Sequence, residues 1–146
     1  MPFDASTDTA AQIIQSCEKH WRLFKSDCSG FVKAVAADFG FVLVGDANAL
    51  TTTLAQRWLS ASNGQEAARQ AGLGKLVIAA KAEPKGHHGH VAIIVKGPLA
   101  QGSYPTGYWG SLGAAPGKSL PITRAWKKSD LPNVKYYYTD VGKLTS

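Results

Sequence analysis

At 146 residues, with 45% hydrophobic and 18% charged side chains, the chain has the length of a single domain, 1–146, and enough apolar residues for an ordinary core. Apolar runs such as Val91–Val95 fall far short of the ~20 residues that a membrane-spanning helix needs, and Met1–Ala10 has no basic start of a secretory signal. Sixteen basic against ten acidic residues give a net charge of +6. That charge favours an anionic partner, which nucleic acid, an anionic membrane or cell wall would all satisfy.

The first helix is expected from Asp8, with Thr7 or Asp8 as its cap, because Ala10, Ile13, Ile14, Cys17 and Trp21 recur at helical spacing. Cys17 lies on that apolar stripe and reads as a small core residue. A second helix starts near Asp27. Phe31, Val32, Val35, Ala36 and Phe39 form its apolar face, and Gly40 follows where a left-handed C-cap glycine belongs. A third helix follows Asp46, with Leu50, Leu54 and Trp58 on one side, and a short fourth covers Glu66–Ala71 and ends at Gly72.

After Gly72 the hydrophobic period changes. Leu76–Ala80 and His90–Val95 read as buried strands, the second opened by Gly89 and closed by Gly97-Pro98. Tyr108–Leu112 and Lys135–Thr139 are weaker strand patterns. Helices first and strands afterwards predict an α+β fold, with N-terminal helices packed on an antiparallel β-sheet.

Two short stretches hold the chemistry. In Asp27-Cys28-Ser29-Gly30-Phe31-Val32 a cysteine falls in the first turn of an amphipathic helix, with Asp27 placed to cap it. Free N–H groups and the positive dipole end there favour the thiolate, which is the nucleophile of a cysteine hydrolase. The Asp27 carboxylate opposes this unless its charge points away from the sulfur. Gly30 costs helix propensity, and a close backbone approach by a substrate would explain it. In Gly86-His87-His88-Gly89-His90-Val91-Ala92 the proton partner is His90, held at a strand start beside small Ala92, which would leave room for the helix end carrying Cys28. His87 and His88 sit in the preceding loop. A metal site built from the three histidines lacks a fourth ligand beyond Glu83.

The remaining signals are weaker. Gly113–Ser119 imitates a phosphate loop, but Leu112 stands where the first glycine is required and Pro121 blocks the following helix. Arg124, Lys127 and Lys128 read as solvated surface. Tyr136 and Tyr138 read as packing one strand face, while Tyr108 and Trp109 serve equally well as substrate wall or as core.

Together these residues resemble the NlpC-type papain-like cysteine peptidases that cleave peptidoglycan stem peptides. Within them the chain is similar to the first family of type VI secretion amidase effectors. Besides the Cys28 and His90 motifs, the resemblance rests on Gly45-Asp46-Ala47-Asn48-Ala49, Gly97-Pro98-Leu99, Tyr104-Pro105 and Gly110-Ser111, and it covers roughly Ile13 to Tyr138. It implies a papain-like fold in which Cys28 is the nucleophile and His90 is the base, then the acid to the leaving amine. The implied substrate bond joins γ-D-glutamate to meso-diaminopimelate.

The family's third group, which orients the histidine, falls at Trp109. An indole can donate but not accept, which leaves a main-chain carbonyl or Ser111 for that task. Tyr108, Trp109 and Ser111 are the expected substrate contacts. The resemblance also implies secretion without a signal peptide, action in a target cell's periplasm and a cognate immunity protein. Thiolate chemistry with an imidazole needs no cofactor and no metal, and neither nucleic acid nor membrane is expected as partner. The rival readings are a housekeeping cell-wall peptidase, an acyl transferase on the same scaffold, and a basic glycan- or nucleic-acid-binding module with an inert Cys28.

Overall fold

A computed structural model describes residues 5–84 and 86–141. Three helices come first: α1 (Ala5–Phe24), α2 (Cys28–Asp38) and α3 (Ala47–Arg57). A short strand β1 (Leu59–Ala61) and helix α4 (Gly64–Gly72) follow, then strands β2 (Leu76–Lys81), β3 (His90–Ala100), β4 (Tyr104–Trp109) and β5 (Gly117–Pro121). Two 3₁₀ turns, Ile122–Arg124 and Leu131–Asn133, lead into β6 (Lys135–Thr139). The six strands form one sheet in the order β1-β6-β2-β3-β4-β5, every neighbouring pair antiparallel. The α+β arrangement of helices on an antiparallel sheet is therefore the observed one.

Helix ends follow local chemistry. Asp27, Asp46 and Asn63 cap α2, α3 and α4, each accepting a main-chain N–H three residues on. At the far end of α2, Gly40 takes φ +88° while Gly40 and Phe41 donate to the carbonyls of Ala37 and Ala36. That is the left-handed Schellman stop which the glycine predicted. α1 already begins at Ala5, so Thr7 and Asp8, expected as caps, lie inside it.

The sheet separates two apolar layers, as period-2 alternation requires. On one face, α1, α2 and α3 bring Ile13, Cys17, Phe31, Val32, Val35, Leu50 and Leu54 onto Leu76, Ile78, Val91, Ile93 and Tyr108. On the other, α4 and the turns after β5 bring Ala67, Ala71, Ile122 and Trp126 onto Val77, Ala79, Ala92, Ile94 and Trp109. Cys17 is fully buried and its thiol is pushed well up by that burial, in keeping with a packing role.

Several strand boundaries differ from those expected. β3 runs on past Gly97-Pro98 to Ala100 through a break in register after Val95, where Gly97 lies against Thr106 and Thr106 Oγ1 donates to the Pro98 carbonyl at 2.8 Å. A bulge absorbs the proline that in an unbroken central ladder would have ended the strand. β4 begins at Tyr104 and stops at Trp109, where Tyr108–Leu112 was expected, because Gly110 leaves the sheet to meet the α1–α2 turn. β1 and β5, which carry no alternating pattern, lie at the two edges of the sheet.

Candidate active site

Cys28 opens α2, half-buried, and its position is set by main chain. Asp27 Oδ1 accepts the Gly30 N–H at 2.9 Å and the Ser29 hydroxyl at 3.2 Å, so the carboxylate is turned into the cap. A Cβ on Gly30 would stand 2.3 Å from Asp27 Oδ2 and 2.9 Å from the Phe24 ring. The glycine is thus required by this cap and the end of α1, and not by a substrate as expected. The preceding turn is tied down from β4: Ser111 N–H donates to the Lys25 carbonyl at 2.9 Å, and a Cβ on Gly110 would sit 2.1 Å from the Phe24 carbonyl oxygen.

The main-chain N–H groups of Cys28, Ser29 and Val91 all favour a negative sulfur. Burial and the Asp27 charge outweigh them and push the thiol up. The expectation that the helix start yields a resting thiolate is corrected accordingly: the donors are present, but desolvation is the larger effect.

His90 is the first residue of β3, and Val91, its neighbour, is one of the N–H donors to the Cys28 sulfur. Cys28 and His90 line the same cleft, of about 570 Å³, together with Ser26, Asp27, Ser29, Asp46, Ala47, His88, Gly89, Ser111, Leu112, Ala114 and Ala125. The imidazole is on the face opposite α1–α3, with its ring centroid 5.0 Å from that of Trp126 at an interplanar angle of 67°. Burial drops its pKa to about 4. Ala92 was expected to make room for the helix bearing Cys28. It lies instead in the layer that holds Trp126, while Val91 faces α2.

The loop entering β3 is clamped from α3. Asn48 Oδ1 accepts the Glu83 N–H at 2.9 Å, and its Nδ2 donates to the His87 carbonyl at 3.0 Å. A Cβ on Gly89 would approach Asn48 Oδ1 to 2.4 Å and the Lys81 carbonyl oxygen to 2.9 Å, so the glycine lets the loop close onto the clamp.

Of the expected substrate contacts, only Ser111 lines the cleft. Tyr108 is buried on the helical face, where its hydroxyl donates to Glu18. Trp109 is 1% exposed on the other face, and its Nε1 donates to the Ala115 carbonyl at 3.3 Å. Both aromatics are therefore core. Among the described residues, no acceptor hydrogen-bonds the His90 ring, and no three His, Cys, Asp or Glu side chains converge to hold a metal ion.

Among the described residues the cleft is lined by two carboxylates, Asp27 and Asp46, and by no lysine or arginine. Arg124, Lys127 and Lys128 are exposed, as expected. Asn48 and Trp126 were missed by sequence reasoning. The one local sign was Asn48 within the first turn of a capped helix; Trp126 gave none.

The chain matches no family model. It is 36% identical over 137 residues to the peptidoglycan amidase Tse1 of Pseudomonas aeruginosa (strain PAO1), a match that spans 86% of this chain and 87% of that protein. No described helix is long and apolar enough to cross a membrane. At that identity and coverage, this chain belongs to the same family as that peptidoglycan amidase.

Proposed function

We propose that the protein is a peptidoglycan amidase that uses Cys28 as nucleophile and His90 as general base and acid. Its bond would be the amide between γ-D-glutamate and meso-diaminopimelate in stem peptides. The observation that carries this reading is that Cys28 and His90, remote in sequence, open α2 and β3 on one cleft.

The resting pair is neutral, since burial raises the thiol and lowers the imidazole. Proton transfer from Sγ to His90 accompanies attack on the amide carbonyl, and the three main-chain N–H donors ease the growing negative charge on sulfur. The carbonyl oxygen becomes an oxyanion, for which the Cys28 N–H at the helix start is the available donor. The imidazolium then gives its proton to the departing amine of diaminopimelate, leaving a γ-glutamyl thioester on Cys28. Neutral His90 next takes a proton from water, which attacks the thioester and releases the glutamyl carboxylate and the thiol. These steps need no metal or organic cofactor.

Similarity to a peptidoglycan amidase supports the substrate class. Resemblance to the type VI secretion effectors supports delivery into a target cell's periplasm, an antibacterial role and an immunity protein that plugs the cleft. The test is digestion of purified peptidoglycan by the parent and by Cys28→Ala, with the fragments weighed by mass spectrometry. The expected outcome is new γ-glutamyl carboxyl ends and free diaminopimelate amines from the parent and none from the variant, whose melting temperature matches the parent's. Cleavage retained by Cys28→Ala, or cleavage at a different bond, would overturn the mechanism or the bond respectively.

A further inference from the structure

A base that must take and return a proton at one place needs its ring held. In many cysteine–histidine pairs an acceptor side chain hydrogen-bonds the second ring nitrogen and does this. Here the residue at that expected position, Trp109, is turned into the core, and among the described residues no acceptor, Ser111 included, hydrogen-bonds the His90 ring. Among the described residues the ring contact made by His90 is with Trp126.

Trp126 is itself firmly seated. It is 7% exposed, its N–H donates to the Ile122 carbonyl at 3.2 Å in the turn after β5, and it packs in the layer of Ala79, Ala92, Ile94 and Trp109. The angle of 67° and the centroid separation of 5.0 Å are those of an edge-to-face aromatic pair.

We propose that Trp126 is the positioning residue for His90, fixing the imidazole by edge-to-face packing where related sites use a hydrogen-bonded third side chain. The role rests on the reading of His90 as the catalytic base. Trp126 packs on the base and is not among the described residues lining the cleft, so its removal is expected to affect turnover more than binding.

The indole also keeps water off one side of the imidazole, in keeping with the low pKa, about 4, that burial imposes on His90. The charged and titratable groups around His90 come from several elements. Lys81 of β2 is its direct cross-strand partner, with its ammonium ion-paired to Glu83 and, at 3.8 Å, to Asp130. Cys28 and Asp27 at the start of α2, Asp46 at the cap of α3 and His88 in the loop share the cleft. Arg124 and Lys127, beside Trp126 in sequence, are exposed.

The experiment compares full-length Trp126→Met and Trp126→Phe with the parent, using soluble stem-peptide fragments of peptidoglycan for kinetics. Imidazole titration by NMR provides a second readout, with the His90 signal assigned by its loss in His90→Gln. Trp126→Met is expected to lose kcat about 10- to 100-fold with KM changed by less than about twofold. Its His90 midpoint and the acid limb of kcat/KM are expected to rise by about one pH unit or more. Trp126→Phe, which keeps a ring edge, is expected to restore most of kcat and to move the midpoint part of the way.

A folded Trp126→Met with the parental kcat, or with His90 titrating as in the parent, overturns the role. Should Trp126→Met not fold, Trp126→Phe decides alone: a midpoint raised part of the way supports the role, and an unmoved one overturns it. Loss of cleavage in His90→Gln alongside full activity in Trp126→Met would sink this inference alone. Cleavage retained by His90→Gln would remove the catalytic reading and this role with it.

Discussion

On the helical face of the sheet, Cys28 is held by main chain: a capped helix start, the Val91 N–H, and a turn pinned by Gly110 and Ser111. On the opposite face, His90 is held by side-chain packing against Trp126. The proposed nucleophile and base thus pack against different apolar layers and share one cleft at the end of the sheet where β3 begins. Main-chain placement tolerates little change in backbone and much change in side chain, and ring packing tolerates the reverse. This difference decides which substitutions should matter on each face.

The strongest test of the helical face is Gly110→Ala. The added Cβ would lie 2.1 Å from the Phe24 carbonyl oxygen and 2.8 Å from that of Asp27, and backbone cannot yield as a side chain can. The expected cost is roughly 3 kcal/mol or more in urea unfolding, with a large fall in peptidoglycan cleavage as Cys28 shifts. Parental stability and rate would show that the β4 end does not hold the turn before Cys28.

On the other face the expected signature is a pH dependence. His90 has a folded pKa of about 4 against 6.5 for a free imidazole. Between those values the unfolded chain binds more protons than the folded one, so stability rises with pH across that window and is lost as pH falls through it. The shift corresponds to roughly 3 kcal/mol between pH 7 and below pH 4. His90→Gln should flatten that part of the stability–pH curve measured by urea unfolding. Equal slopes in parent and variant would mean that His90 is not held neutral.

Asn48 joins the two regions, since it reaches from α3 to both ends of the loop entering β3. Asn48→Ala leaves the Glu83 N–H and the His87 carbonyl without these partners, at an expected cost of about 1–2 kcal/mol in unfolding free energy. Amide exchange at Glu83 and residues 86–89 should accelerate more than in β2, and uniform acceleration would count against a local clamp.

How much of this was readable beforehand follows from the same contrast. The placement of Cys28 and His90 at the starts of α2 and β3 was legible because neighbouring residues announce those boundaries: Asp27 before a helical stripe, Gly89 before an apolar run. Gly40 marked its helix stop for the same local reason. Trp126, Gly110 and Asn48 act through contacts with chain remote in sequence, which no local period encodes. Gly30 shows the limit from the other side. Its presence in a helix start was conspicuous, but the residues demanding it, Asp27 and Phe24, became apparent only once the turn was folded. Trp109 stood at the expected position of the third catalytic group, yet strand alternation and its contact with Gly117 turned it into the core.

The smallest expected effect concerns Asp27, which both builds the helix start that carries Cys28 and opposes ionisation of its thiol. Its carboxylate caps α2 while its charge helps to push the Cys28 thiol up. Asparagine caps as well as aspartate does, and its carbonyl can accept the same Gly30 N–H. Asp27→Asn therefore separates the two roles: stability should change by less than about 0.5 kcal/mol, while the charge is removed from beside the sulfur. The alkylation rate of Cys28 followed against pH should then shift its midpoint downward. Asp27→Ala should show the same direction of shift and lose about 1 kcal/mol of stability with the cap. An upward shift in Asp27→Asn would mean that the carboxylate favours the thiolate through its hold on the helix start, and the balance drawn here between cap and charge would be reversed.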